Sequence, residues 1–153
     1  MATRQYKEKK RGAGRHVQLP EWLQRTEAWA TMKPGPRALY VELKRRFNGQ
    51  NNGEIYLSHR DAAIALNVHR NTVGSYFAEL EQRGFVVMTA GAHLGPSGTG
   101  ISAQWALSEL PLAGMKKASN DFKKWKSSAQ KPCMTVTNTV RPTRSEEAYA
   151  QKL

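Results

Sequence analysis

The amino-acid sequence predicts an α+β fold that is mainly helical and carries one small β-hairpin, and three observations predict it. Residues 58–84 have the pattern of two helices joined by a tight turn. Residues 85–88 form a compact apolar β segment directly after them, and residues 101–107 alternate apolar and polar side chains after a glycine-rich loop. This order of elements is that of a winged helix-turn-helix domain, which places its second helix in the DNA major groove.

The two central helices carry start and stop signals. Ser58 is a good N-cap residue, and Asp61 three positions later completes an acidic form of the capping box. Asn67 can adopt the left-handed conformation that ends a helix, so the turn is predicted there. The second helix is predicted from about residue 70 to residue 83, with Gly84 as its stop. Its apolar face consists of Val73, Phe77 and Leu80.

The elements that precede this pair follow from proline positions and apolar spacing. Residues 19–32 are predicted to form one amphipathic helix, because Pro20 suits a first helical position and apolar residues recur at helical spacing. A second helix is predicted to begin near Pro36, with the basic residues 44–46 mostly opposite its buried face, and residues 54–57 have strand propensity. The two apolar faces consist of Trp22, Leu23, Trp29 and Met32, and of Leu39, Tyr40, Leu43 and Phe47.

Charge divides the chain into a nearly neutral centre and two basic flanks. The whole chain has a formal net charge of +12. Residues 1–18 carry six Lys and Arg against one acid, residues 19–110 nine against eight, and residues 111–153 nine against three. A basic total favours a nucleic-acid partner, because Lys and Arg neutralise phosphates. Solvated tails without a partner are the alternative interpretation.

Four segments are therefore expected. Residues 1–18 form a disordered basic arm, residues 19–110 the winged helix-turn-helix domain, residues 111–130 a basic amphipathic helix, and residues 131–153 a disordered tail. The amphipathic helix is predicted by apolar residues at helical spacing among lysines, and its aromatic members could anchor it on the domain. These apolar residues are Met115, Ala118, Phe122, Trp125 and Ala129.

The exposed face of the second central helix supplies candidate DNA readers, since Asn and Gln can each pair with adenine through two hydrogen bonds. Groups at the starts of both helices can hold phosphates, and the loop of the hairpin either contacts DNA or only closes the hairpin. Gly74 is expected to allow a close backbone approach, to the partner helix or to DNA. The candidate readers are Arg70, Asn71, Ser75 and Gln82, the candidate phosphate contacts are Ser58, His59, Arg60 and Thr72, the loop candidates are His93, Ser97 and Thr99, and the flanking cations are Lys116, Lys117, Lys123, Lys124 and Lys126.

Other chemistries have little support in the sequence. The histidines and the single Cys133 do not have metal-ligand spacing, and the glycine-rich loop lacks the lysine and the following helix of a P-loop. No nucleophile–base or carboxylate pair stands out, so neither enzyme activity nor a cofactor or small-molecule ligand is expected. No apolar run approaches about 18 residues, so no membrane span is expected. The alternative of an interfacial membrane helix over residues 111–130 has little support, because that helix is short and its apolar face is narrow. The lone cysteine fits a reducing cytoplasm, where the protein would associate with the nucleoid.

Several stretches together resemble a set of small winged helix-turn-helix proteins of α-proteobacterial chromosomes, plasmids, prophages and integrative elements. They are EAWATMKPGPRALYVELKRRFNGQNNG, EIYLSHRDAAIAL, RNTVGSYFAELEQRGFV and AQWALSE, and the later NDFKKW is similar to that set as well. The resemblance covers about two thirds of the chain and implies a DNA-binding fold. The chain also looks like the winged N-terminal domains of plasmid and phage replication initiators, although no second initiator domain is expected after it.

The expected function is binding of double-stranded DNA, most simply as a transcriptional regulator of a bacterial mobile element, with a homodimer as one option. A replication or recombination accessory protein is the first alternative. The second alternative is a protein-interaction module, whose contact surface would consist of Trp22, Trp29, Phe122 and Trp125.

Overall fold

The structure is a computed structural model that describes residues 16–128. The α+β fold predicted from the sequence is confirmed, because this part of the chain combines five α-helices with a small antiparallel sheet. None of the helices in it is long and apolar enough to cross a bilayer. The helices are α1 (Glu21–Gln24), α2 (Glu27–Ala30), α3 (Pro34–Arg46), α4 (His59–Leu66) and α5 (Arg70–Gln82), the strands are β1 (Ile55–Tyr56), β2 (Val86–Ala90), β3 (His93–Leu94), β4 (Gly100–Ile101) and β5 (Gln104–Leu107), and a 3₁₀ helix covers Asp121–Lys123.

The segment 19–32 folds as two short helices, and the prediction of one continuous helix is wrong. The chain turns at Thr26, whose hydroxyl donates a hydrogen bond to the carbonyl of Leu23 (2.7 Å) and accepts one from the amide of Trp29 (3.3 Å). One side chain thus closes α1 and caps α2. Leu23 and Trp29 are buried, as their spacing predicts, whereas Trp22 is about half exposed.

Helix α3 crosses the core and ends in basic residues that do not all face solvent. The prediction that Lys44 lies opposite the buried face is wrong, because its ammonium group pairs with the carboxylate of Glu109 and the two side chains are only 9% and 2% exposed. Tyr40 donates a hydrogen bond from its hydroxyl to the same carboxylate (2.8 Å). A buried carboxylate needs such partners, since an unpaired charge is costly to remove from water.

Helices α4 and α5 begin and end where the sequence signals stand. The hydroxyl of Ser58 accepts a hydrogen bond from the amide of Asp61 (3.0 Å), so the N-cap prediction is confirmed. Asn67 has left-handed φ 52° and ψ 48° between the helices, and Gly84 follows α5 with φ 77°. The buried side chains of α5 are Val73, Phe77 and Leu80, as predicted.

Strand β5 is the centre of the sheet, with β1 and β2 antiparallel on either side. The predicted strand over 101–107 is divided, because Ile101 pairs with His93 in a separate two-stranded ladder and only β5 pairs in the sheet. Asn52 holds the end of β5: its side-chain Oδ1 accepts a hydrogen bond from the amide of Leu107 (2.7 Å), and its Nδ2 donates to the carbonyl of the same residue (3.0 Å).

The core between the helices and the sheet is rich in aromatic side chains. Phe85 makes edge-to-face contacts with Trp29 and Tyr40, at 5.7 and 5.5 Å between ring centroids, and stacks on Phe122 at 4.8 Å. The ring of Phe85 therefore contacts α2, α3 and the 3₁₀ helix at once. The packing of each of these elements depends on the other two.

The described residues after β5 do not form the amphipathic helix predicted over 111–130, so this prediction is wrong. The chain is irregular there apart from the 3₁₀ helix, and Asn120 has left-handed φ 48°. The amide of Asn120 donates a hydrogen bond to the carbonyl of Ser108 (2.9 Å), which holds the segment against the end of the sheet. The predicted anchoring is confirmed for Phe122, which is buried, and for Trp125, which packs against the core.

The folded unit thus extends beyond residue 110, where the domain was expected to end. The spacing of Met115 and Phe122 predicts that both lie on one helical face. In the structure Phe122 enters the core, whereas Met115 is 62% exposed. Ala129, the tail over 131–153 and most of the expected N-terminal arm lie outside the described residues.

Candidate nucleic-acid interface

A cleft of about 500 Å³ lies between the starts of α4 and α5 on one side and the hairpin of β2 to β5 on the other. It brings together three predicted site residues, Ser58, His59 and Arg70, that are separated in sequence. The opposite wall is mostly apolar, and the sequence did not indicate it as part of a site. The lining residues are Leu57, Ser58, His59, Arg70, Met88, Ala92, Gly100, Ile101, Ser102 and Ala103.

Both helix starts at the cleft are capped by side chains. The Ser58 hydroxyl donates its hydrogen to the carboxylate of Asp61 (2.7 Å), so Ser58 orients α4 and has no hydrogen left for a ligand in this arrangement. At α5, Nδ1 of His69 accepts a hydrogen bond from the amide of Asn71 (3.2 Å). The remaining free amides at a helix start attract anions, which the helix dipole also favours.

The two helix starts differ in charge. Asp61 stands in the first turn of α4 and compensates its positive end, whereas the first turn of α5 contains no acid and begins with Arg70. Arg70 and the neighbouring cation Arg60 are exposed, and neither has an ion-pair partner within residues 16–128. Because a cation at a helix start opposes the dipole, the start of α5 is a site of uncompensated positive charge.

His59 is held in position by the core. Its imidazole stacks on the ring of Phe77 at 5.2 Å between centroids and 17° between planes, and Phe77 stacks on Trp105 at 4.2 Å. The sequence places Phe77 on the buried face, but its spacing gives no sign that it also supports His59. An imidazole fixed at a cleft edge can donate a hydrogen bond to an anion.

The candidate readers on α5 are not all equivalent. Asn71 is exposed one position after Arg70, whereas the hydroxyl of Ser75 donates to the carbonyl of Thr72 (2.7 Å) within the helix. Thr72 itself is only partly exposed. Gln82 is exposed at the other end of α5, about 18 Å from Arg70 by the helical rise, and it does not line the cleft. Asn71 therefore follows directly after a residue that lines the cleft, whereas Gln82 lies apart from the cleft.

The close backbone approach that Gly74 was expected to allow does not occur towards the partner helix α4. A Cβ atom added at Gly74 would meet only Cε1 of His59 at 3.8 Å, which is an ordinary van der Waals distance. The small size of this residue is therefore not required by α4.

The loop candidates lie at the end of the hairpin, and all three are exposed. Nδ1 of His93 is 2.9 Å from the carbonyl of Gly91, and the hydroxyl of Ser97 donates to that of Thr99 (3.2 Å). From Thr89 to Gln104 the chain carries no Lys, Arg, Asp or Glu. This part of the surface consequently offers hydrogen-bonding groups but no acidic side chain and neither Lys nor Arg.

The lysines of the C-terminal segment lie away from the cleft. Lys124 pairs with Asp121 (3.0 Å), Lys126 lies 3.8 Å from Glu27, and the ammonium group of Lys123 is 4.7 Å from the ring centroid of Trp22. The 3₁₀ helix, which contains Asp121 and Lys123, packs against Gly84 at the C-terminal end of α5, whereas Arg70 is at the N-terminal end of α5. Lys116 and Lys117 are exposed and line no part of the cleft.

Among residues 16–128, two titratable groups have clearly shifted pKa values, and both belong to the scaffold. Burial raises the pKa of Tyr40 well above its ordinary value, and the nearby charge of Glu109 and its hydrogen bond act in the same direction. A hydrogen bond from Lys124, followed by one from Ser119, lowers the pKa of Asp121. Within residues 16–128 no group of three or more His, Cys, Asp or Glu could hold a metal ion, and Cys133 lies outside this range.

Comparison of the chain with protein-family models, with curated proteins and with solved structures yields no match.

Proposed function

We propose that this chain is a winged helix-turn-helix protein that binds double-stranded DNA. The observation that carries the proposal is the cleft at which the start of α5, the start of α4 and the hairpin meet. In this proposal α4 and α5 are the helix-turn-helix, β2 to β5 form the wing, and α5 enters the major groove. A helix fits this groove, which is about 12 Å wide.

The charge at the start of α5 supports an anionic partner. Arg70 stands at the first position of a helix without an acid in its first turn, and an anion there would relieve both the Arg70 charge and the helix dipole. A DNA phosphate has the right charge, and the fixed imidazole of His59 provides a second donor at the same cleft. Arg60, which is exposed in the first turn of α4, would add a further phosphate contact.

The lining of the cleft also suits a DNA strand. One wall carries Arg70 and His59, while the other carries Met88 and Ile101. A DNA backbone has charged phosphates and apolar deoxyribose edges. One strand of the duplex could therefore place its phosphates against the wall with Arg70 and its deoxyribose edges against the apolar wall. In this arrangement Asn71 is the reader closest to the bases, and Gln82 is too far along α5 to read the same base pairs.

The protein-interaction alternative loses most of its expected contact surface. Of its four aromatic residues, Trp29 is 6% and Phe122 1% exposed, so both belong to the core and cannot form a contact surface. Trp125 is covered on one ring face by Arg83, and Trp22 is contacted by Phe122 and Lys123. The residues that suggested this alternative are mainly needed for packing.

The proposed role is regulation of transcription, and the resemblance to winged proteins of mobile elements supports it. Protection of the gene's own promoter in a footprinting experiment would support this role. Protection of repeats at a replication origin would instead favour the replication alternative.

DNA binding is tested by fluorescence anisotropy of a labelled mixed-sequence duplex as the salt concentration is varied. We expect binding at low salt, and Arg70→Ala should weaken it and reduce the slope of log K against log salt by about 0.9. Arg25→Ala is the matched control, because Arg25 is an exposed arginine that lies on α1 and does not line the cleft. Absence of duplex binding at low salt, or equal slopes for the two variants, would contradict the proposal.

A further inference from the structure

Leu94, at the end of the hairpin, is the most exposed large apolar side chain of the described residues, at 75%. Its partner across the β3–β4 ladder is Gly100, so no side chain stands beside it on the neighbouring strand. A Cβ atom added at Gly100 would meet nothing within 4 Å, so the space next to Leu94 is open. An apolar side chain is thus presented to the outside by the pairing of the two strands.

The hairpin end is closed by regular hydrogen bonds. The amide of Gly95 donates to the carbonyl of Thr99 (2.8 Å), and the amide of Gly98 donates to the carbonyl of Gly95 (2.9 Å). Ile101 covers the other side of the turn, because a Cβ atom added at Gly95 would lie 3.1 Å from its Cδ1. Leu94 therefore stands on a defined turn, and its exposed position follows from that geometry.

The absence of charge around Leu94 restricts what this end of the hairpin can bind. No Lys, Arg, Asp or Glu occurs from Thr89 to Gln104, although the chain as a whole has a net charge of +12. This surface cannot bind phosphates through formal charge, so its contribution to binding must come from apolar contact and hydrogen bonds. Apolar side chains that enter the minor groove can insert between base steps, which they unstack and bend.

The cleft places the hairpin end on the appropriate side of a bound DNA strand. Arg70 lines one wall, and the hairpin lines the other at Met88, Gly100 and Ile101. A strand seated between these walls has the start of α5 on one side and the hairpin on the other, where Leu94 is the cross-strand partner of the lining residue Gly100. The two sides of a DNA strand are the major and the minor groove, so α5 in the major groove places Leu94 at the minor groove.

We propose that Leu94 enters the minor groove as an apolar wedge, unstacks one base step and bends the duplex. This inference rests on the proposed DNA binding. Unlike the contacts of Arg70, that of Leu94 releases no counterion, so it should contribute to affinity without changing the salt dependence.

The test measures affinity and bending together, with a mixed-sequence duplex of about 30 base pairs that carries a fluorophore at each end. We expect energy transfer between the ends to rise when the protein binds. Leu94→Ala should lower the affinity about tenfold and abolish most of the rise, with an unchanged salt slope. Leu94→Lys should also reduce the bend, but should make the salt slope steeper by about 0.9.

Met115→Ala is the matched control, because Met115 is another exposed apolar side chain and lies after β5, away from the cleft. It should leave both affinity and bend unchanged. Duplex binding without bending, or equal behaviour of Leu94→Ala and the unmodified chain, would overturn the wedge and leave the proposed DNA binding standing. Absence of duplex binding at low salt would overturn both.

Discussion

The guanidinium group of Arg83, at the end of α5, lies over the indole of Trp125, 4.3 Å from the ring centroid. The same group donates hydrogen bonds to the carbonyl of Ala28 (2.8 Å) and to the hydroxyl of Thr31 (2.7 Å), and it pairs with Glu79 (3.0 Å). One nearly buried arginine thus connects the end of α5 to the residues of α2 and to the segment that follows the sheet.

Replacement of Arg83 should therefore destabilise the fold without any effect on the cleft chemistry. Arg83→Ala leaves buried acceptors without a donor, and we expect the free energy of unfolding to fall by about 3 kcal/mol. Urea denaturation followed by tryptophan fluorescence measures this change. Arg25→Ala, at an exposed ion pair with Glu21, should change it by less than about 0.5 kcal/mol. Similar losses for the two variants would contradict the role assigned to Arg83.

Two glycines of the α5 region should respond to alanine in opposite ways. Gly84 has φ 77°, and a Cβ atom there would lie 2.8 Å from the backbone amide nitrogen of Phe122, so Gly84→Ala should cost more than about 2 kcal/mol. Gly74 lies inside the helix with room for a Cβ atom, so Gly74→Ala should stabilise the fold by about 0.5–1 kcal/mol. Thermal denaturation of both variants provides the comparison, and a loss of stability in Gly74→Ala would show that the residue has a packing role.

Stability should fall at alkaline pH because of Tyr40. Burial, the charge of Glu109 and the hydrogen bond to Glu109 raise the pKa of Tyr40 in the folded state, so the folded chain keeps a proton that the unfolded chain loses near pH 10. The stabilisation is fully present below the unfolded pKa and is lost as the pH rises towards the folded pKa. The slope attributable to Tyr40 is up to about 1.4 kcal/mol per pH unit.

The measurement is urea denaturation at pH 8, 9, 10 and about 10.5, on the unmodified chain and on Tyr40→Phe. The phenylalanine variant cannot ionise at this position, so its stability should decline less steeply above pH 9. Parallel curves for the two proteins would assign the alkaline loss to other groups.

Replacement of Arg70 by an acid should stabilise the fold and abolish the proposed DNA binding. Arg70→Glu places an acid in the first turn of α5, where the helix dipole favours it, so we expect a stability gain of about 0.3–1 kcal/mol at low ionic strength. The same change should abolish duplex binding, because it reverses the charge at the cleft. The gain should disappear in about 1 M salt, which screens the dipole interaction. A stable variant that still binds the duplex would remove Arg70 from the interface.

Local signals predicted the centre of the fold well. Ser58, Asn67 and Gly84 delimit α4 and α5 because capping and left-handed conformations depend on the residue itself and its near neighbours. The mixed α+β composition could be predicted for the same reason.

The predictions from sequence were wrong where contacts between residues far apart in the sequence outweigh the local spacing of apolar residues. The helical spacing around Phe122 is genuine, but Gly84 lets the backbone of this segment approach closely and Ser108 binds Asn120, so the chain follows the core instead of forming a helix. Lys44 is likewise buried only because Glu109, far along the chain, meets it.

The candidate site was predicted as a set of residue types, and its geometry depends on the fold. Sequence reasoning named Ser58, His59 and Arg70 but could not show that they share one cleft or that Ser58 donates to Asp61. It treated the lysines of the C-terminal segment as one cationic flank, whereas two of them form ion pairs away from the cleft, Lys124 with Asp121 and Lys126 with Glu27. Such groupings require the three-dimensional arrangement.

The position of Phe122 in the core has a consequence for synthesis of the chain. Domains fold from the N-terminus as they are made, yet the ring that stacks on Phe85 is supplied by a residue that follows every strand of the sheet. Native packing around Phe85 must therefore wait until residue 122 has left the ribosome. A nascent or truncated chain that stops at residue 110 would expose the aromatic surface of Phe85 to chaperones, so an autonomous folding unit has to include Phe122.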